Sequence, residues 1–239
     1  MKPTGTLHLI PVSLGESAPA NWLPQAAHEL ASQLTVYIAE NAKTARAFLK
    51  LIGTSRPLQE ITIHTLNDKV DAGQIKSWLQ PLLAGGDIGL VSEAGCPAVA
   101  DPGAKVVAQA HLMGLRVVPW VGPSSILLSL MASGLDGQRF AFHGYAPVDA
   151  TERAKQLKAW EVTSQKQQQT QILIETPYRN GAMFDTLKQA LKGNTRLCIA
   201  SALTTAEEWI QTHTVSHWKT LPAPDLAKKP TIFLFLADR

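Results

Sequence analysis

Short apolar runs bounded by glycine and proline recur along this chain at intervals of helical length. That alternation restricts it to α/β architectures with a largely parallel sheet. Strands are predicted at residues 7–12, 35–39, 61–64, 88–92 and 116–120. The intervening segments read as helices: 41–51 opens on an Asn cap, and 71–83 opens on Asp and stops before Gly85-Gly86. This half forms one doubly wound unit. Beyond residue 139, strands are predicted at 140–145, 171–175, 196–200, 209–214 and 232–236. The two strands after Leu197 lie close together with no long helix between them, which points to a mixed sheet.

The expected organisation is therefore two α/β domains, 1–121 and 122–239. The first has a mostly parallel sheet with helices on both faces, and the second has a mixed sheet. Residues 126–131 are expected to be a buried helix joining the two. A sixth parallel strand is the alternative, disfavoured because Leu predominates over β-branched residues there. The biased segment 166–171 reads as a solvated helix end, and 221–224 as a loop leading to the last strand.

With 239 residues, 45% of them hydrophobic, the chain can fill one large core or two modest ones. A net charge of +3 on 22 basic residues decides nothing about a polyanionic partner, although the whole surplus follows residue 120. Cys96 and Cys198 cannot form a disulfide framework and lack zinc spacing, so a reducing cytoplasm and no metal are expected. The start has no apolar signal core, and no apolar run approaches the ~20 residues that span a bilayer, so no membrane association is expected.

In an open α/β sheet, ligands bind beyond the carboxyl ends of the strands. Three loops there are rich in Gly, Pro and Ser: Pro11-Val12-Ser13-Leu14-Gly15-Glu16, the run Ser92-Glu93-Ala94-Gly95-Cys96-Pro97 continuing to Gly103, and Gly122-Pro123-Ser124-Ser125. None contains a dinucleotide fingerprint or a Walker loop, and none carries Lys or Arg up to Gly103, which argues against phosphate binding. Small residues nonetheless let a ligand approach the backbone closely.

The stretch from Gly86 to Gly144, with SEAGCPAVADPG, VVPWVGPSS, SGL and RFAFHGY, resembles the cofactor-binding core of the tetrapyrrole methylase-like superfamily. Within it, the chain is most similar to the ribosomal RNA small subunit methyltransferase I family, whose loops read approximately SDAGTPxISDPG and PGPSA. The resemblance implies an S-adenosyl-L-methionine-dependent methyltransferase, a homodimer of two-domain subunits with the cofactor in a cleft between the domains. It implies that Pro11 and Gly15 border the cofactor, that Ser92, Glu93, Ala94, Gly95 and Pro97 line its methionine side, and that Ser124 and Ser125 supply hydrogen bonds. From the second domain, Tyr145, Ala202, Leu203, Pro230 and Thr231 would approach the adenosine. Such a cofactor needs backbone partners and an apolar slot but no phosphate cradle, and methyl transfer by in-line displacement relies on alignment rather than on a catalytic triad.

The polar motifs of that family survive only in part. EDTR becomes Glu40-Asn41-Ala42-Lys43, and HEHN becomes His64-Thr65-Leu66-Asn67. Glu-Ser-Pro-His-Arg becomes Glu175-Thr176-Pro177-Tyr178-Arg179, and ARELTKxxEE loses its Arg, Glu and Lys in the run from Ala200 to Glu208. The cofactor loops are kept better than the acceptor side.

A ribose hydroxyl acceptor needs a group to take its proton. Glu40, Glu93, Asp101 and His64 are the candidates, with Glu40 and Glu93 preferred. Asp101 also suits a turn before Pro102-Gly103. His64, Asn67, Glu175 and Arg179 are candidate acceptor contacts; Glu175 and Arg179 could instead pair with each other, but Pro177 between them favours the substrate role. Cys96 has no identifiable His partner, which excludes a thiol nucleophile. Three functions remain open: methylation of 16S rRNA, by resemblance at a cytidine 2′-hydroxyl; methylation of a tetrapyrrole or other small molecule; and cofactor binding without transfer.

Overall fold

The computed structural model describes residues 4–238, which divide into two compact units between Ser124 and Ser125. In the first unit, β1 (Thr6–Leu9), β2 (Val36–Ala39), β3 (Thr62–Thr65), β4 (Ile88–Val91) and β5 (Arg116–Pro119) form an all-parallel sheet ordered β3-β2-β4-β1-β5. Five helices connect them: α1 (Gln25–Gln33), α2 (Ala42–Ile52), α3 (Ala72–Trp78), α4 (Gln80–Leu83) and α5 (Ala104–Leu112).

Both faces of this sheet are covered, as a parallel sheet requires. Tyr37, Ala39 and Val91 pack with Ala27, Ala31, Phe48 and Leu49 on one side. Leu7, Ile38, Ile88 and Leu90 pack with Ile75, Leu82, Val106 and Ala110 on the other. Strand alternation sends Tyr37 and Ile38 to opposite cores, and β4, flanked by two strands, is buried at every position.

The predicted 71–83 helix is two helices. Pro81 has no N–H to donate and its ring collides with the carbonyl four residues back, so the chain breaks at Leu79 between α3 and α4. The predicted caps hold: the Asn41 side chain accepts from Lys43 N–H and that of Asp71 from Gln74 N–H.

The second unit opens with α6 (Ser125–Ser133) and contains β6 (Phe140–Tyr145), α7 (Ala150–Gln167), β7 (Thr170–Glu175), α8 (Asn180–Ala190), β8 (Arg196–Ser201), β9 (Trp209–Thr214), α9 (Val215–Trp218) and β10 (Thr231–Leu236). Its sheet runs β6-β7-β10-β8-β9. The β6–β7 pair is parallel and the other three pairings are antiparallel, so the sheet is mixed. Leu157, Phe184, Leu187 and Trp218 from α7, α8 and α9 pack on Leu173, Ile199 and Phe233.

Two expectations are corrected here. Residues 126–131 are helical but buried on one side only: Leu127 and Met131 are 51% and 79% exposed. The buried side of α6 is Ser129, Leu130 and Ser133, and the two serine hydroxyls donate to the carbonyls of Ile126 and Leu130 three residues back. The 166–171 segment is a helix end only as far as Gln168, which takes the left-handed conformation. Gln171 is fully buried in β7, where its amide donates to Gln169 O and its Oε1 lies 2.7 Å from His143 Nε2.

Among the described residues, no helix is long and apolar enough to cross a membrane.

Candidate active site

Parallel pairing puts the carboxyl ends of all five strands of the first sheet on one edge. In strand order, the residues following them are Leu66-Asn67 after β3, Glu40 after β2, Ser92-Glu93 after β4, Pro11 after β1 and Gly122–Ser124 after β5. The three small-residue loops are knit together. Val12 and Gly95 exchange backbone hydrogen bonds of 3.0 and 3.2 Å. The Cys96 thiol donates to the carbonyls of Pro123, at 3.3 Å, and Gly122. Burial pushes this thiol above its ordinary range, so it serves as a donor and not as a thiolate.

The glycines are fixed by this closeness. A Cβ on Gly122 would overlap the Pro11 ring, and Gly95 has φ +72° with Leu14 and the Pro123 carbonyl on either side of where a Cβ would go. Ser92 is buried, and its hydroxyl donates to Ala94 O at 3.1 Å and Gly95 O at 3.3 Å; it braces the loop from within. Pro11 and Pro97 are buried, while Gly15 and Ser124 are half-buried and Ala94 exposed. Ser125 is the first residue of α6.

Beside the second of these loops lies a cavity of about 660 Å³ lined by Glu40, Asn41, Leu66, Asn67, Asp68, Glu93, Ala100, Asp101, Pro102 and Lys105; of the predicted cofactor residues only Glu93 lines it. It gathers Glu40, Glu93 and Asn67 from three neighbouring strand ends. Four carboxylates face one ammonium there. Burial raises the Glu40 carboxyl from its ordinary range, and the charges of Asp101 and Glu93 raise it further, against a hydrogen bond from the Glu93 backbone N–H.

Asp101 is raised by burial too, but its carboxylate accepts from Ala98 N at 2.9 Å and Gly103 N at 2.6 Å, so it organises the turn. That turn holds Ala98 at φ +68° and Ala100 at φ +60°, positions alanine seldom adopts. His64 does not line the cavity. Its ring stacks on Trp78 at 4.9 Å between centroids, and burial lowers its pKa.

The candidates of the second unit cluster at one end of its sheet, where Thr231 of β10 pairs with Glu175 of β7 and Ser201 of β8. The Glu175 side chain is wholly buried; its Oε1 accepts from Arg179 Nε at 2.9 Å, and the two residues pair with each other. Thr231 Oγ1 joins Asn180 Nδ2 at 3.2 Å and Ser201 Oγ at 3.1 Å. Ala202 N donates to Pro230 O, and Ala202 and Thr204 take φ +51° and +66°. Leu203 is buried and Tyr145 is 60% exposed. A separate cavity of about 620 Å³ in this unit, walled by Trp209, Trp218, Pro222 and Pro224, includes none of the predicted residues.

Sequence reasoning missed Lys105, one residue into α5, and Asp68. Their signal was position alone, immediately after a strand-end loop.

No family model matches the chain. Curated relatives do: it is 35% identical over 157 residues to a ribosomal RNA small subunit methyltransferase I of Xylella fastidiosa, covering 66% of this chain and 55% of the relative. A second Xylella fastidiosa protein of the same name is 30% identical over 238 residues, covering 100% of this chain and 83% of the relative. One from Pseudomonas aeruginosa is 30% identical over 207 residues, covering 87% and 69%.

The chain belongs to the ribosomal RNA small subunit methyltransferase I family.

It is accordingly a methyltransferase, although it spans as little as 55% of a relative's length. The fold has a solved counterpart: the crystal structure of the methyltransferase CobJ superimposes with a TM-score of 0.62 at 16% identity, covering 98% of this chain and 95% of that one. Against the rRNA methyltransferase I motif EDTR, only the acid at Glu40 and a base at Lys43 are present here, and Glu40 is the one that lines the cavity.

Proposed function

We propose that this chain transfers the methyl group of S-adenosyl-L-methionine to 16S rRNA, at a ribose 2′-hydroxyl of a cytidine. The observation that carries this reading is the acidic cavity bordered by the 92–103 loop, to which the loops after β1 and β5 are hydrogen-bonded. Its donor set fits the cofactor: carboxylates suit a sulfonium and an ammonium, and the loops offer no phosphate cradle. Pro11, Gly15, Ser92, Glu93, Ala94, Gly95, Pro97, Ser124 and Ser125 would hold it. When bound, the cofactor supplies an electrophilic methyl carbon.

The residues of the chain do the rest. Glu40 accepts the hydroxyl proton, its basicity increased by burial and by the like charges of Asp101 and Glu93. Asn67 and Glu93 orient the sugar or base by hydrogen bonds. The donors of a cytidine suit this wall, but the phosphates of RNA and the carboxylates of a tetrapyrrole would alike meet four carboxylates with only Lys105 in compensation, so the choice of RNA rests on the kinship with rRNA methyltransferases and not on charge. A homodimer completes the proposal, supported by the exposed apolar residues Leu112 on α5 and Met131 on α6.

Calorimetry with S-adenosylmethionine should show binding, lost on bulky substitution at Gly95. Tritiated methyl transfer to 30S subunits, naked 16S RNA and a small-molecule extract then identifies the acceptor. Label entering only small molecules refutes the RNA reading, and absence of binding refutes the cofactor. Light-scattering mass decides the dimer.

A further inference from the structure

The loop after β5 is anchored at its root by a side chain from another strand. His8 lies within β1, is 8% exposed, and sits in register with Val118 of β5. Trp120, two residues before Gly122, donates its indole N–H to His8 Nδ1 at 3.2 Å, with ring centroids 6.1 Å apart. The Trp120 backbone N–H donates to Leu9 O at 3.0 Å, and its ring packs against the Ile10, Val12 and Tyr37 core. His8 Nε2 lies 3.8 Å from Asp87 Oδ2, while Asp87 Oδ1 accepts from Thr6 N at 2.7 Å.

This geometry fixes the tautomer. Nδ1 accepts only when it carries no proton, so the proton sits on Nε2, toward Asp87. A second proton on the ring would set one donor against another at the indole. The charged groups acting on His8 oppose each other: Asp87 favours the extra proton, while Arg116 on β5 disfavours it. Burial is the largest influence and lowers the histidine below its ordinary value.

We infer that His8 is a positioning residue for the cofactor loop: in its neutral form it holds Trp120, and through Trp120 the segment Val121-Gly122-Pro123-Ser124, against Pro11 and Cys96. This rests on the proposed role of that loop in cofactor binding. Acid should then loosen the loop through one hydrogen bond, whose loss weakens binding by between about 2- and 10-fold.

The test is calorimetry with S-adenosylmethionine on the full chain at pH 7.5 and at a pH below the His8 titration, located by nitrogen-15 spectra of the His8 ring, with the indole and loop amides followed over the same range. The wild type should bind tightly at the higher pH and weakly at the lower. His8→Asn, which keeps an acceptor near the Nδ1 position but does not titrate, should bind tightly at both. Trp120→Phe, which keeps the packing and loses the donor, should bind weakly at both. Glu40 and His64 remain in every variant, so their titration cancels in the comparison. The Trp120 indole and the loop amides from Gly122 to Ser124 should shift together with the His8 ring. An unchanged pH dependence in His8→Asn, or loop amides that ignore the His8 titration, would overturn the inference. If no cofactor binds at any pH, the cofactor reading falls, and the spectra still decide whether His8 governs the loop.

Discussion

The two units place acids at their sheet ends in opposite circumstances. In the first, Glu40 is half-buried beside Glu93 and Asp101, in a cavity where like charges outnumber the single ammonium of Lys105. In the second, Glu175 is wholly buried with Oε1 held by Arg179 and Oε2 unpaired, while Thr231 Oγ1 joins the Asn180 amide to the Ser201 hydroxyl. An acid among acids keeps its basicity for use, whereas an acid bound to its own arginine has already been used by the fold. Sequence alone assigns Glu40 to the base and Glu175 to the acceptor side, but it does not reveal this difference in surroundings, since each follows or ends a strand and each belongs to a partly kept motif.

The largest effect expected of that difference is on rate. Glu40→Gln should lower methyl transfer by about 10²–10⁴-fold while cofactor affinity stays close to wild type, and Glu175→Gln should leave the rate far less changed. Equal rate losses would break the comparison. The converse holds for stability: Arg179→Met should cost about 3–5 kcal/mol in urea unfolding, because it strands a buried carboxylate, and should exceed any single change in the first unit's acids.

Gly122→Ala should cost about 1–3 kcal/mol by overlap with the Pro11 ring, and should abolish calorimetric binding along with it.

A pH effect sharpens the contrast further. A carboxyl whose pKa is raised by folding binds its proton more tightly in the native state. Its contribution therefore falls as pH rises from the ordinary carboxylate value through the raised one. Glu40→Gln removes that loss, so the variant should be more stable than wild type at neutral pH and no more stable in acid. The smallest effect concerns Lys105, which should reach an RNA phosphate at the rim. Lys105→Ala should reduce the salt slope of RNA binding by about one without changing cofactor affinity.

Much of the architecture was legible because a parallel sheet must be apolar on both faces, and runs such as residues 88–91 can satisfy little else. The three loops were legible as loops because glycine and proline punctuate strand ends, whereas their cofactor role rests on the resemblance. What escaped depends on partners far apart in the chain. Trp120 and His8 are 112 residues apart, and nothing local to either marks the hydrogen bond. Gln171 looked solvated inside a glutamine-rich run because only His143, across the sheet, reveals what its amide is for. The exposed side of α6 was misread because its serines, polar by composition, are the residues that face inward.

The turn at Ala98 and Ala100 uses alanine where glycine is the ordinary choice. Glycine would sample the left-handed region there at no cost but would leave the segment free to sample much else. Alanine accepts strain at both positions, and the Asp101 carboxylate clamps the turn that results. This wall of the cavity is thus cast before any ligand arrives, and little ordering entropy remains to be lost on binding. The segment behaves as a mould and not as a hinge, so selectivity at this wall should be written in shape, and changing the acceptor would require recasting the turn rather than relaxing it.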